Sequence, residues 1–139
     1  MIKFPCLAAL FGIFAFSPIA LAQSGLTGIA ITQAPEAGGG MCYGEDAATA
    51  IACAQADCVK QTGLDIEDCI VTNWCAPAGW TLDVFIQSQD GPHWHNFSCG
   101  WSSREQAELS AKITCQADYI MGCMPVVVWS PTGQSFELF

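Results

Sequence analysis

The chain is short of positive charge. Only 4 Lys and Arg residues stand against 13 Asp and Glu among 139, giving a formal charge of -9. Phosphate backbones and anionic lipid surfaces are gripped by clustered Lys and Arg, so nucleic acid and charged membranes are excluded as partners. No Cys-x2-Cys pair occurs, and the tightest spacings run from Cys53 to Cys58 and from Cys69 to Cys75. That leaves a structural zinc site without its usual ligand spacing. A Gly-x-Ser-x-Gly elbow for a serine nucleophile is also missing. Long apolar runs are confined to the first twenty-odd residues, so the mean hydropathy of +0.35 reflects that segment and not a spanning protein.

Met1 to Ala22 reads as a secretory signal peptide, residues 1–22. Lys3 supplies a positive start, Leu7 to Ile19 an apolar stretch, and Ala20-Leu21-Ala22 a small-x-small cleavage site. The stretch is too short to span a bilayer and is broken by Ser17-Pro18. Cys6 leaves with the signal. A chain beginning near Gln23 keeps 3 basic and 13 acidic residues, a formal charge of -10. The expected location is periplasmic or secreted, with no membrane attachment after cleavage.

Eight cysteines then remain: Cys42, Cys53, Cys58, Cys69, Cys75, Cys99, Cys115 and Cys123. An even number in a small exported chain reads as disulfides, although the count alone allows 105 connectivities. Residues 23–41 have the Gln, Ser, Gly, Thr and Ala composition of a flexible linker, ending in Gly38-Gly39-Gly40, with only Leu26 to Ile31 able to pair as a strand. Residues 42–139 are then a single disulfide-rich α+β domain. Glu45 to Thr62, free of Gly and Pro and stopped by Gly63, predicts a helix. Ala47, Ala50, Ile51, Ala54 and Cys58 share one arc of it, and Glu45, Asp46, Asp57 and Lys60 the opposite one. Cys53 falls among the charges and points outward, where the neighbouring loop carrying Cys42 can reach it.

Strands are predicted at Cys69 to Cys75, Trp80 to Ser88, His93 to Cys99 and Cys123 to Trp129, with Gln89-Asp90-Gly91-Pro92 as a hairpin turn. Ser102 and Glu105 form a capping box for a second helix reaching about Tyr119, whose apolar residues spread over more than half its circumference and imply burial. The two helices echo each other. Ala50-x3-Ala54-x3-Cys58 leads to Cys69 and a strand, and Ala107-x3-Ala111-x3-Cys115 leads to Cys123 and another. Bridges Cys58 to Cys69 and Cys115 to Cys123 would pin each helix end to its strand, leaving Cys75 with Cys99. The expected architecture is two helices packed on a small antiparallel sheet, arranged as two helix-strand pseudo-repeats around a central hairpin.

The alanine rows, Cys-Ile-Val-Thr-Asn-Trp-Cys-Ala at 69 to 76 and Glu-Gln-Ala-x3-Ala-x3-Cys at 105 to 115 resemble a type of small exported bacterial cysteine-rich domain of unknown function. The resemblance covers roughly residues 44 to 129. It implies an exported disulfide fold and no particular activity. The long Asp90 to His95 hairpin tip and the acidic balance depart from that type.

Candidate chemistry gathers near the tip. His93 and His95, two apart on a strand, share a face and could form half of a zinc or copper site, with Asp90 or another carboxylate, and Met121 or Met124 for copper. Ser98-Cys99-Gly100-Trp101 superficially resembles a cysteine-nucleophile neighbourhood, but an even cysteine count favours a bridged Cys99. Asp83, Asp90 and Glu105 offer carboxylate pairs that nothing singles out. The tryptophans are more telling: Trp80 and Trp101 sit at element ends, and Trp94 faces opposite to the histidines. Trp80, Asp90, His93, Trp94, His95 and Trp101 are therefore the candidate binding residues of a non-enzymatic interaction module with no cofactor. Its acidity favours a basic envelope protein as partner, as in an inhibitor or immunity-type protein acting on a cationic enzyme such as a lysozyme. The alternatives are a metal-binding protein built on His93 and His95, and a structural envelope component.

Overall fold

A computed structural model of the chain describes residues 27–138, so the expected signal peptide lies outside the described residues. The first sheet is organised by β1 (Gly28–Ala34), which is buried on both faces, with Ile29 and Ile31 on one side and Ala30, Thr32 and Ala34 on the other. It pairs antiparallel with β2 (Gly38–Gly44) and β3 (Ile70–Cys75) in the order β2-β1-β3. The second sheet has the order β5-β4-β6-β7, from β4 (Trp80–Ser88), β5 (His93–Trp101), β6 (Ile120–Trp129) and β7 (Ser135–Glu137). The architecture is thus α+β with two antiparallel sheets, where the sequence suggested one.

Each sheet carries a helix on its outer face. Helix α1 (Ala47–Thr62) begins at Asp46, whose side chain accepts from the Thr49 N–H at 2.9 Å, and ends at Gly63 in the left-handed conformation at φ 71°. Its buried row Ala50, Ala54 and Cys58 lies on Ala30 and Ala34 of β1. Small side chains on both surfaces let the backbones approach closely. A Cβ at Gly40 would run into the Ala54 carbonyl and the Cys58 amide, while the Thr32 hydroxyl donates to the Ala54 carbonyl at 2.9 Å. Helix α2 (Arg104–Thr114) rests on the second sheet through Ala107 and Ala111, which pack with Leu82, Val84, Ile86 and Val128.

The inner faces meet along one side. Ile29 and Ile31 pack with Met41 and Tyr43 of their own sheet and with Phe97 and Cys99 of the other. The Asn73 amide donates to the Phe97 carbonyl at 3.2 Å and the Gln33 amide to the His95 carbonyl at 2.8 Å. On the far side the Tyr43 hydroxyl donates to the Ser130 carbonyl at 3.2 Å. Four disulfides complete the frame, and they are the pairs expected from the spacing: Cys42–Cys53, Cys58–Cys69, Cys75–Cys99 and Cys115–Cys123. The third joins the two sheets; the second and fourth each tie the C-terminal end of a helix to the segment that follows.

Several expectations need correction. The flexible linker assigned to 23–41 is structured from Gly28 onward, since β1 and the first residues of β2 occupy that stretch. Gly39 and Gly40 are there because the β1 and α1 backbones leave no room for side chains. The α2 cap is Ser103, which accepts from the Gln106 N–H, while the Gln106 side chain accepts from the Ser102 N–H: the capping box is shifted by one residue. This helix stops at Thr114, not near Tyr119, because the Cys115–Cys123 bridge requires the chain to reverse within a separation of 8 residues. Nor is it largely buried, for Leu109 is 55% and Ile113 65% exposed, and Ala107 and Ala111 alone are its buried residues.

The close seat of α1 makes Gly40 a sensitive position. Gly40→Ala should lower the unfolding free energy by about 2 kcal/mol, the cost of overpacking against rigid backbone. Urea denaturation of the oxidised protein measures it, and an unchanged midpoint would mean that α1 does not lie there.

Candidate functional site

The apolar alternation of β4 decides what faces the space between the sheets. Leu82, Val84 and Ile86 turn toward α2, so Asp83, Phe85 and Gln87 turn inward. Register does the rest, pairing Asp83 with Phe97, Phe85 with His95 and Gln87 with His93. The result is a continuous row of rings. Ring centroids lie 5.6 Å apart for His93 and Phe85, 5.5 Å for Phe85 and His95, 6.2 Å for His95 and Phe97, and 6.2 Å for Phe97 and Trp129. Facing the row, the β1–β2 hairpin contributes Ile31, Gln33 and Met41, with Glu36 at its turn, and α1 adds Asp57 and Gln61 at the edge. Together they bound an open cleft of about 630 Å³ with no Lys or Arg among the described residues of its lining.

Under the row lies a carboxylate. Asp83 is only 4% exposed, and its two oxygens sit 2.9 and 2.8 Å from His95 Nδ1. Burial pushes its carboxyl above the ordinary aspartate range, and the charge and hydrogen bond of His95 pull it partly back. Facing an ionised Asp83, His95 carries a hydrogen on Nδ1, and in the neutral ring Nε2 is then the acceptor. The His95 side chain is 46% exposed, so this acceptor is accessible from the cleft.

Of the expected binding residues, His93 and His95 come together in the cleft on either side of Phe85. Trp94 borders it, but its ring packs with the α2 cluster and stacks on Tyr119 at 6.4 Å. Trp80 and Trp101 oppose each other across β4 and β5 and pack on the α2 side, outside the cleft lining. Asp90 is exposed at the hairpin turn and does not line the cleft. Glu105 sits at the start of α2, where backbone and Ser103 hydrogen bonds hold its carboxyl below the ordinary range. All eight cysteines among the described residues are bridged, so Cys99 offers no thiolate. Among the described residues no three His, Cys, Asp or Glu side chains are grouped to hold a metal ion; Met121 and Met124 are exposed.

Sequence reasoning missed Phe85, Phe97 and Trp129 as site residues and left Asp83 undistinguished. A signal was present. Asp83 is the one charged residue of β4, on the same alternation as Phe85. No family, curated protein or solved structure matches the chain.

The Asp83 shift has a definite sign. A carboxyl held above its unfolded value binds a proton more tightly in the folded protein, so its contribution to stability is present below the ordinary value of 3.8 and is lost as pH rises through the native value. Asp83→Asn removes that loss and can still accept from His95. Thermal melts across this range should therefore show the variant gaining on the wild type as pH rises from acid to neutral, and parallel curves would contradict the assignment.

Proposed function

We propose that this protein is an exported, non-catalytic binding module of the periplasm or the extracellular space, which takes a basic protein partner into its inter-sheet cleft. One observation carries the reading: five rings in edge-on, tilted or stacked contact adjoin a buried carboxylate, with Glu36 and Asp57 at the edge and no Lys or Arg among the described residues of the lining. Such a surface is electrostatically complementary to Lys and Arg and offers the aromatic faces that anchor interfaces. The charge of -9 over the whole chain supports it by raising the rate of encounter with a basic partner. Four disulfides suit an oxidising compartment and hold the cleft in shape before the partner arrives, which lowers the ordering cost of binding. An acidic inhibitor or immunity-type role toward a cationic envelope enzyme is the form of the reading that these features favour.

Calorimetric titration with a set of basic proteins that includes a lysozyme, and with acidic proteins of similar size as controls, tests it. Binding is expected for basic members only, weakening with added salt, and falling about tenfold in Phe85→Ala, as for loss of an aromatic anchor. Absence of binding throughout the basic set, or affinity indifferent to Phe85→Ala, would overturn the reading.

A further inference from the structure

Resting on that reading, we infer that the cleft is a guanidinium receptor: it takes the side chain of one arginine of the partner, laid against the ring row and hydrogen-bonded to His95 Nε2. The three requirements of such a site are all in the cleft. The first is an aromatic surface, with Phe85 edge-on to His95 and the His95, Phe97 and Trp129 rings only modestly tilted from one to the next. Phe85, His95, Phe97 and Trp129 present consecutive rings across two strands and the adjoining β6, with interplanar angles of 68° for Phe85 and His95, 27° for His95 and Phe97, and 30° for Phe97 and Trp129. A delocalised, weakly hydrated guanidinium stacks on such faces, whereas a compact ammonium keeps its water.

The second requirement is an acceptor held in one orientation. His95 is fixed by Asp83 through Nδ1, at 2.9 and 2.8 Å, and its backbone is fixed by the Gln33 amide at 2.8 Å. Asp83 is a positioning residue. Too deep to meet a ligand itself, at 4% exposure, it selects the tautomer in which Nε2 accepts. The third requirement is charge of the right sign around that acceptor. Asp83 comes from β4, Glu36 from the β1–β2 turn, Asp57 from α1 and His93 from β5, and no Lys or Arg among the described residues lines the space. An anionic group would meet the Glu36 and Asp57 carboxylates with the field of buried Asp83 beneath, so the same arrangement disfavours it. The volume of about 630 Å³ falls in the range that encloses a drug-sized ligand, enough for an arginine with its flanking peptide.

Three capped peptides of one sequence, carrying arginine, lysine or citrulline at the central position, test the inference on the whole oxidised protein. Citrulline keeps the planar shape and removes the charge. Binding is read from Trp129 fluorescence and from the His95 ring nitrogen signals by NMR. The arginine peptide should bind about tenfold more tightly than the lysine peptide, as a stacked planar fork requires, and the citrulline peptide more weakly still. His95→Phe, which keeps a ring and removes the acceptor, should lose the preference for arginine while near-ultraviolet dichroism shows the fold intact. Asp83→Asn should mix the His95 tautomers in the nitrogen spectrum and weaken arginine binding in proportion, a result that a purely structural aspartate would not give. Equal affinity for arginine and lysine, or arginine preference surviving in His95→Phe, overturns the inference. If basic proteins bind the cleft and the arginine peptide does not displace them, the guanidinium receptor fails and the binding module stands; if neither binds, both fail.

Discussion

Everything particular to this protein depends on the spacing between two sheets whose apolar contact runs along one side, with the Tyr43 hydroxyl on the Ser130 carbonyl as a separate tie on the other. The Cys75–Cys99 bridge sets it, joining the end of β3 in the first sheet to β5 in the second. Beside the bridge, the Ala78 N–H donates to the Thr27 carbonyl and the Gly100 N–H to the Ala78 carbonyl, each at 2.8 Å. From there the contact continues through Asn73 on Phe97 to Gln33 on His95. The cleft lies alongside this contact, lined by Ile31 and Phe97 as well as by His95 and His93. A bridge closing a loop of 24 residues contributes about 3 kcal/mol by restricting the unfolded chain. Its structural effect is more specific, because it holds two flat surfaces at a distance that aromatic rings partly fill.

The placement of Asp83 follows from that geometry and carries a cost. A carboxylate in the middle of an apolar strand, almost wholly buried, loses its hydration, and one imidazole donor only partly compensates. A neutral side chain of similar shape would serve the fold as well. What the charge does add is control of His95, whose outward nitrogen is thereby an acceptor at the centre of the ring row. Sheet packing and site chemistry are coupled here: the register that pairs Phe85 with His95 also places Asp83 beside the ring it orients.

Much of the framework was legible in the residues. Gly63 ends α1 as read, because the left-handed stop is local chemistry, while the start expected at Glu45 falls at Ala47 behind the Asp46 cap, and the alternation of Trp80 to Ser88 defined β4 to the residue. The four bridges could be read from helix phase and from the repeated spacing of alanine rows and cysteines. Gly38-Gly39-Gly40 misled, since glycine that serves close approach has the same composition as glycine that serves flexibility. The site was half legible. His93 and His95 share a face by strand periodicity alone, but Phe97 and Trp129 join them through pairings across the sheet, and Glu36 and Asp57 arrive from another sheet and another helix. Trp80 and Trp101 drew attention as large rings at element ends, and tertiary packing places them against the α2 side.

The central claim is that the inter-sheet bridge holds the cleft, and the most direct test is the contact between the Phe97 ring and the Ile29 and Ile31 side chains, followed by NMR in the wild type and in Cys75→Ala/Cys99→Ala. The account predicts that this contact weakens in the variant, while the contacts of α1 with β1 and of α2 with β4, each pinned by its own bridge or alanine row, stay as they were. An undiminished Phe97 contact, or simultaneous loss of all three, would contradict it.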